Sequence, residues 1–426
     1  GDITATTGEF RPIIGTYGAQ AVKMTLNAGQ DSSFVGQKTS GSANATDGNN
    51  FGDFYYTPPT GFLSACSNNV PTSDDIDPAG DDGADENPTK QFNVVLWTGD
   101  GQDNRSVSGV GFKPDLLWGK VYSSSDEHWM FDSSRGSGRI YPSTSDAEGD
   151  YSAYWSQFDS DGWTFGNNAS SQNINNGTFV GYCWRANGGS TSSNTDGSIT
   201  STVQANTKAG FSIVTYTGNA TNGATFGHGL SAKPSCVFIK NRDASQKWAV
   251  WHQSAGMTDY KLLFLDTNAA LTTEGTQRWD VSAISNSVFG LGSHPEINGS
   301  GADYVAYVWH DVEGYSKFGQ YVGNSNSEGS FVYTGFRPRM LILRPLNVAS
   351  DGWLMYDTAR ETFNVMDSIL KPHDSAAEYS NAAFKLDILS NGFKLRSSDN
   401  AVNGTSYDPY IYLAWGDVPF KYNNTR

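Results

Sequence analysis

Apolar positions along this chain come in short runs set between Gly, Ser, Asn and Asp clusters, and the runs repeat in a fixed order. A leading run appears at 92–99 (FNVVLWTG), at 211–218 (FSIVTYTG) and, more weakly, at 316–323 (SKFGQYVG). At 211–218 alternation puts Phe211 and Ile213 on one face, as in a half-buried strand. A Lys-Pro or Arg-Pro anchor follows at Lys113-Pro114, Lys233-Pro234 and Arg337-Pro338, each opening a second apolar run at 115–118, 235–239 and 339–343. Trp-bearing runs come next at 128–132, 247–251 and 352–357. Turns at Asp161-Gly162-Trp163, Ser285-Asn286-Ser287 and Asn391-Gly392-Phe393 lead to aromatic closing runs at 182–184, 307–309 and 412–415. Short runs bounded by turn residues predict β-strands. Helical periodicity is weak everywhere, its best stretches being 358–370 and 375–384. The pattern predicts an all-β chain of tandem antiparallel sandwich modules, concanavalin-like or jelly-roll-like, with little helix.

The anchors lie 120 positions apart from Pro114 to Pro234 and 104 apart from Pro234 to Pro338. That period exceeds a solenoid unit and fits whole β domains in tandem. The expected organisation is module 1 at 91–187, a Gly/Ser/Thr-rich joint at 188–208, module 2 at 209–314 and module 3 at 315–426. Before them, 1–70 reads as strands and turns, with alternation at 10–15 and 21–27 and a strand stopped by Pro58-Pro59. It is expected to be the C-terminal part of a larger sandwich, and a chain opening on Gly1 suggests a fragment or a processed product. Residues 71–90 hold Asp74, Asp75, Asp77, Asp81, Asp82, Asp85 and Glu86 among prolines, an extended acidic linker. A calcium loop is the other reading of those carboxylates, although their spacing matches no EF-hand.

Composition narrows the function classes. Gly is 47 of 426 residues, aromatics are 13% and charged residues 17%, the make-up of short strands joined by polar turns and held by buried rings. Net charge is −16, which disfavours nucleic acid and anionic membranes as partners. No run is long and apolar enough for a membrane span. Cys66, Cys183 and Cys236 are sparse, with no CxxC, and read as buried thiols. The six histidines, His128, His228, His252, His294, His310 and His373, make no HxH or HExxH pair. No GxSxG elbow or Walker loop is present, so no catalytic residue, metal or cofactor is expected. The acidic loop residues Asp146, Glu148 and Asp150 read as solvated. Sequons such as Asn44-Ala45-Thr46 are expected by chance in so Asn- and Ser-rich a chain.

Two segments carry a resemblance to a known family. Gln30–Phe34 through Gly52–Phe62 resembles the end of the SPRY-like, concanavalin-type sandwich domains of marine bacteriophage virion proteins. The text at 94–101, 110–118 and Phe131-Asp132-Ser133-Ser134-Arg135-Gly136 is similar to the repeat module that follows that sandwich in the same proteins. The resemblance covers most of 20–190 and, less sharply, the two later modules. Module 2 departs from it, with Trp251-His252-Gln253-Ser254 where the motif has Phe-Asp-Ser-Ser. The resemblance implies a virion structural protein on the tail or capsid surface and supplies no catalytic residues.

Candidate residues follow from repetition and from its absence. Trp184, Trp309 and Trp415 recur in register, and so by this reading do Trp129, Trp248 and Trp353; all six are expected in cores. Asp132 with Arg135 and Asp357 with Arg360 share one spacing, read first as a turn held by a charge-assisted hydrogen bond and second as a carboxylate or sugar site. Trp155 and Trp279, with Tyr151 and Tyr154, fall in variable segments and are the expected glycan or receptor contacts. The leading functional expectation is a non-enzymatic tail-fibre or appendage subunit for host attachment. Its expected partners are other virion proteins and a host-surface glycan or protein receptor, and its expected assembly a homo-oligomer, a trimer by the resemblance. The alternatives are a capsid decoration or head-fibre protein and, from a third class, a glycan depolymerase with paired carboxylates.

Overall fold

The structure is a computed structural model and describes residues 45–64, 69, 88–168, 171–347, 352–404 and 409–416. The chain divides into two compact units, 1–70 and 71–426. In the first, the described part is a turn network around buried Asp47. Its carboxylate accepts from the Ser64 backbone N–H and hydroxyl, both at 2.8 Å, and from Asn69 Nδ2 at 2.6 Å. The sandwich expected at 1–70 and the acidic linker therefore lie mostly outside the described residues, as does Cys66.

The second unit contains three copies of one sheet. Each has four antiparallel strands in the spatial order leading, closing, anchor, edge. In module 1 these are Phe92–Thr98, Thr178–Trp184, Leu116–Val121 and Trp129–Asp132. In module 2 they are Phe211–Thr217, Asp303–Trp309, Cys236–Asn241 and Ala249–His252. In module 3 they are Ser316–Tyr321, Tyr410–Gly416, Pro338–Pro345 and Leu354–Asp357. A smaller sheet covers one face. It is built from Ser106–Ser108, Gly162–Phe165 and Trp155–Asp159 in module 1, and from Phe331–Tyr333, Gly392–Leu395 and Leu386–Leu389 in module 3. In module 2 it is reduced to Ala224–Gly227 paired with Val288–Leu291.

Strand alternation gives each four-stranded sheet two buried faces. In module 1, Val95, Trp97, Leu117, Trp129, Phe131 and Cys183 pack against the small sheet's Val107, Trp163 and Phe165. The intervening Phe92, Val94, Leu116, Trp118, Met130, Tyr182 and Trp184 point the other way, into a core shared with modules 2 and 3. At its centre the rings of Trp184, Trp309 and Trp415 stand 6.1, 5.4 and 5.8 Å apart, each edge-on to the next at 62–75°. Phe92 packs on Trp184 and on Trp415 of module 3, and Phe211 of module 2 packs on Trp309 and on Trp184 of module 1. The three modules thus close into a ring about an approximate threefold axis. Such strands are buried on both sides, which explains why their apolar residues run together instead of alternating.

Several expectations change. Trp129 is not the counterpart of Trp248 and Trp353. Pairing aligns Asp132, His252 and Asp357 opposite Leu116, Cys236 and Met340, so His128 stands where the other two modules have Trp248 and Trp353. An offset of one residue along a strand reverses the face. Trp248 and Trp353 accordingly enter the shared core, whereas Trp129 enters module 1's own core. Residues 358–370 are not helical. Asp357 Oδ1 accepts from the Ala359 and Arg360 N–H groups at 3.0 and 2.8 Å, a local turn that competes with helix, and Ser368–Ile369 is a strand. Residues 375–384 hold the strand Tyr379–Ser380 and a single tight turn. The four-residue helix Pro295–Asn298 had no sequence signal. The stretch 188–208 carries two strands, Ser192–Asn194 and Ser201–Asn206, that extend the module 2 sheet beyond its leading strand.

Candidate functional site

The Asp-Arg pairs occupy the boundaries between modules. Arg135 Nε donates to Asp132 Oδ2 at 2.5 Å and Nη1 to Glu148 at 2.6 Å, both within module 1. Tyr307 of module 2 completes the cluster, its hydroxyl donating to Asp132 Oδ2 at 2.7 Å and accepting from Arg135 Nη2 at 3.1 Å. Arg242 of module 2 adds two bonds to Glu148 at 2.9 and 2.8 Å. The boundary of module 3 with module 1 repeats the device: Arg360 binds Asp357 and Glu378, both at 2.5 Å, and Tyr182 donates to Asp357 at 2.8 Å. Burial is the largest single influence and works against both guanidinium charges, but the adjacent aspartates, facing tyrosines and glutamates together outweigh it and hold the arginines charged. Both side chains are essentially inaccessible. Each pair holds a local turn and also contacts the neighbouring module.

The third boundary lacks the Asp-Arg cluster. Where the Asp-Arg motif stands in modules 1 and 3, module 2 has His252 and Ala255, and the facing tyrosine is replaced by Leu413. Leu271, whose N–H bonds the Leu346 carbonyl, takes the place of Glu148 and Glu378, whose N–H groups bond Arg242 and Tyr122. His252 Nδ1 accepts from the Ser254 N–H at 3.2 Å and Nε2 faces the Tyr412 carbonyl at 3.3 Å, a pairing that one neutral tautomer satisfies. Burial pushes its pKa down to about 4.

A second device is common to all three boundaries. Lys120, Lys240 and Arg344 occupy one position of the anchor strands, and all three are buried. Each reaches a loop carbonyl of the preceding module in the ring: Lys120 to Ser375 at 3.3 Å, Lys240 to Ser145 at 2.9 Å, and Arg344 to Ala269. Burial lowers both lysines to about 8, so they remain protonated at neutral pH.

The expected glycan residues separate. Trp155 lies on a strand of the small sheet and stacks on Phe131 with ring centroids 4.3 Å apart. Trp279 is fully buried, its indole N–H donating to the Lys261 carbonyl at 2.7 Å. Both are core residues: each belongs to a loop segment in the repeat pattern, but its ring fills its own module. Neither can stack on a sugar. Tyr151 and Tyr154 are both half-buried, and Tyr151 borders a cavity of about 330 Å³ in module 1, whose wall does not include Tyr154. Arg139 forms part of its wall, its guanidinium 3.3 Å from the Tyr151 ring centre, 4.7 Å from that of Tyr141 and 5.5 Å from that of Tyr154. Arg139 Nη2 donates to the Tyr141 hydroxyl, which donates to that of Tyr151 at 3.0 Å. Arg139 Nε is buried without a hydrogen-bond partner, and no carboxylate pairs with the side chain among the described residues. Sequence reasoning missed Arg139. The signal was available in the repeat itself, since strand pairing places Leu262 and Ile369 at the same position.

His310, just after the module 2 closing run, makes a local contact, its Nδ1 lying 2.7 Å from the Asp311 carbonyl. Cys183 and Cys236 are buried free thiols, and burial raises both. Among the described residues no group of His, Cys, Asp or Glu converges on a metal position.

The chain belongs to the family described as domain of unknown function DUF7483, whose model matches residues 87–419, the whole three-module ring. No curated protein and no solved structure matches the chain.

Proposed function

We propose that this chain is a structural subunit of a bacteriophage virion, a tail-fibre or appendage component that attaches to the host surface. Its partners in this reading are other virion proteins and a host-surface glycan or protein receptor, and its assembly a homotrimer. The segment similarity to phage virion proteins supports the source. The observation that carries the structural role is the closure of three modules into one ring by buried clamps at every boundary. A block built so makes a stiff support for surface loops, and rigid scaffolds bearing loops are how recognition is commonly presented.

Capsid decoration is the second reading. It is favoured by the burial of Trp155 and Trp279, which removes two of the four residues expected to touch a receptor. Adsorption competition separates the two. Purified protein, fluorescently labelled and added to host cells before infection, is expected to bind saturably and to block infection. Intact oligomer that neither binds nor blocks would overturn the attachment reading in favour of decoration.

A further inference from the structure

We infer that the Arg139 cavity of module 1 is a binding site for a neutral pyranose, the sugar unit through which the attachment proposed above would be made. The argument starts from a comparison the chain makes with itself. Three modules share one backbone plan, and two of them fill this position with Leu262 and Ile369, both buried. The fold is satisfied by an apolar residue there. Module 1 instead places a guanidinium at 6% exposure, with a donor left unpaired and, among the described residues, no carboxylate within ion-pair distance. A buried charge without an ion-pair partner is costly, and a buried donor without an acceptor adds to the cost. Retaining such a group where the siblings do without it points to an acceptor supplied from outside.

The surroundings select the class of that acceptor. The cavity volume, about 330 Å³, falls at the low end of the roughly 300–1,000 Å³ of small-molecule sites. Asp126, Glu127 and Asp146 line the same cavity. The charged groups on the wall are three carboxylates and one arginine, a lining that disfavours uronates, sialates and phosphates even with buried Lys120 near Asp126 and Glu127 and buried Lys240 near Asp146. A cation would meet the guanidinium, and the acids do not gather around a metal position. A neutral polyol suits both signs, its hydroxyls donating to the carboxylates and accepting from Arg139. The half-buried rings of Tyr141 and Tyr151, both on the cavity wall, offer apolar surface for the C–H face of a sugar ring. Glu127 is positioned for such a role by Ser143, whose hydroxyl donates to it at 2.5 Å, and Asp146 by Thr144 at 2.9 Å.

The test titrates the full chain with methyl glucoside, methyl galactoside, methyl mannoside and methyl glucuronide, read by saturation-transfer NMR. At least one neutral hexoside is expected to bind saturably at millimolar concentration, and the glucuronide to bind more weakly. Arg139→Leu, which copies Leu262, is expected to retain the melting temperature and lose about tenfold or more in affinity. Asp146→Asn, at an exposed position, is expected to weaken binding with the fold intact, and keeps the test decisive if the Leu variant does not fold. Failure of every neutral hexoside, preference for the glucuronide, or unchanged affinity in a folded variant would overturn the inference. Blocked adsorption without hexoside binding would sink the sugar site and leave attachment standing. Hexoside binding without blocked adsorption would do the reverse.

Discussion

At the scale of single residues, the clamp on the closing strand is built twice with an Asp-Arg pair and once without one. Breaking a buried charged cluster by removing one partner typically costs about 3–5 kcal/mol, because the remaining charge is left buried and unpaired. Arg135→Ala strands Asp132 and the Tyr307 hydroxyl and is expected to destabilise by that amount in denaturant unfolding. The boundary between modules 2 and 3 supplies the rescue. Asp132→His, Arg135→Ala and Tyr307→Leu together copy His252, Ala255 and Leu413, and the triple variant is expected to be more stable than Arg135→Ala alone. If it is less stable, the apolar solution depends on its local setting. His252 carries a second consequence. Its folded pKa of about 4 lies below the ordinary 6.5, so between those values the unfolded chain binds a proton that the folded chain refuses. Stability contributed by the neutral ring is complete above pH 6.5 and is lost as pH falls towards 4, by roughly 3 kcal/mol for a fully buried group. His228 and His373 shift the same way through burial and act in the same window. Thermal scans from pH 7 to pH 4 are expected to show a steady fall in melting temperature, less steep in His252→Gln.

At the scale of elements, the strands were legible and their faces were not. The leading, anchor and closing runs, the turns at 161–163 and 391–393, and the all-β class follow from period and punctuation. The face each strand residue occupies depends on register, which aromatic identity alone does not give. Aligning modules on their tryptophans placed Trp129 with Trp248 and Trp353, whereas aligning them on Asp132, His252 and Asp357 gives the observed register. Runs such as Leu116-Leu117-Trp118 and Tyr182-Cys183-Trp184 held the further clue that both faces are covered, which a free-standing sandwich does not require. Trp155 and Trp279 were misplaced for a related reason: their position between repeated elements signalled loops, while their rings turn inward to fill module 1 and module 2. The site was legible only in part, through Tyr151, because the significance of Arg139 appears only once Leu262 and Ile369 are known to be its structural equivalents. Register also yields a prediction. Gly119 lies opposite Trp129 on the anchor strand, and a β-carbon there would stand 2.2 Å from the indole ring. Gly119→Ala is expected to cost about 1–3 kcal/mol by overpacking. The same change made together with Trp129→Leu, which copies module 3, should recover part of that loss in chemical denaturation.

At the scale of the whole molecule, the shared core decides how the modules unfold. A tandem array of independent sandwiches would lose its modules one at a time. Here the layer facing the axis is assembled from all three, with Trp184, Trp309 and Trp415 in mutual contact and Phe92 and Phe211 each packed against a neighbour's tryptophan. Removing one module exposes several of these rings, each worth roughly 1.5–3 kcal/mol of burial. It also strands one partner of the clamps on both sides, at about 3–5 kcal/mol for a charged one. The sum reaches the roughly 5–15 kcal/mol that stabilises a typical domain, so a two-module remnant is not expected to stay folded. The ring should therefore melt as one unit. Calorimetry of residues 88–426 is expected to give a single transition whose van't Hoff and calorimetric enthalpies agree. A chain ending after module 2 should lose near-ultraviolet dichroism from its tryptophans and expose them to solvent quenchers. Three separable transitions, or a two-module chain with native tryptophan burial, would mean that the axial core is a contact between finished domains and not the element that completes them.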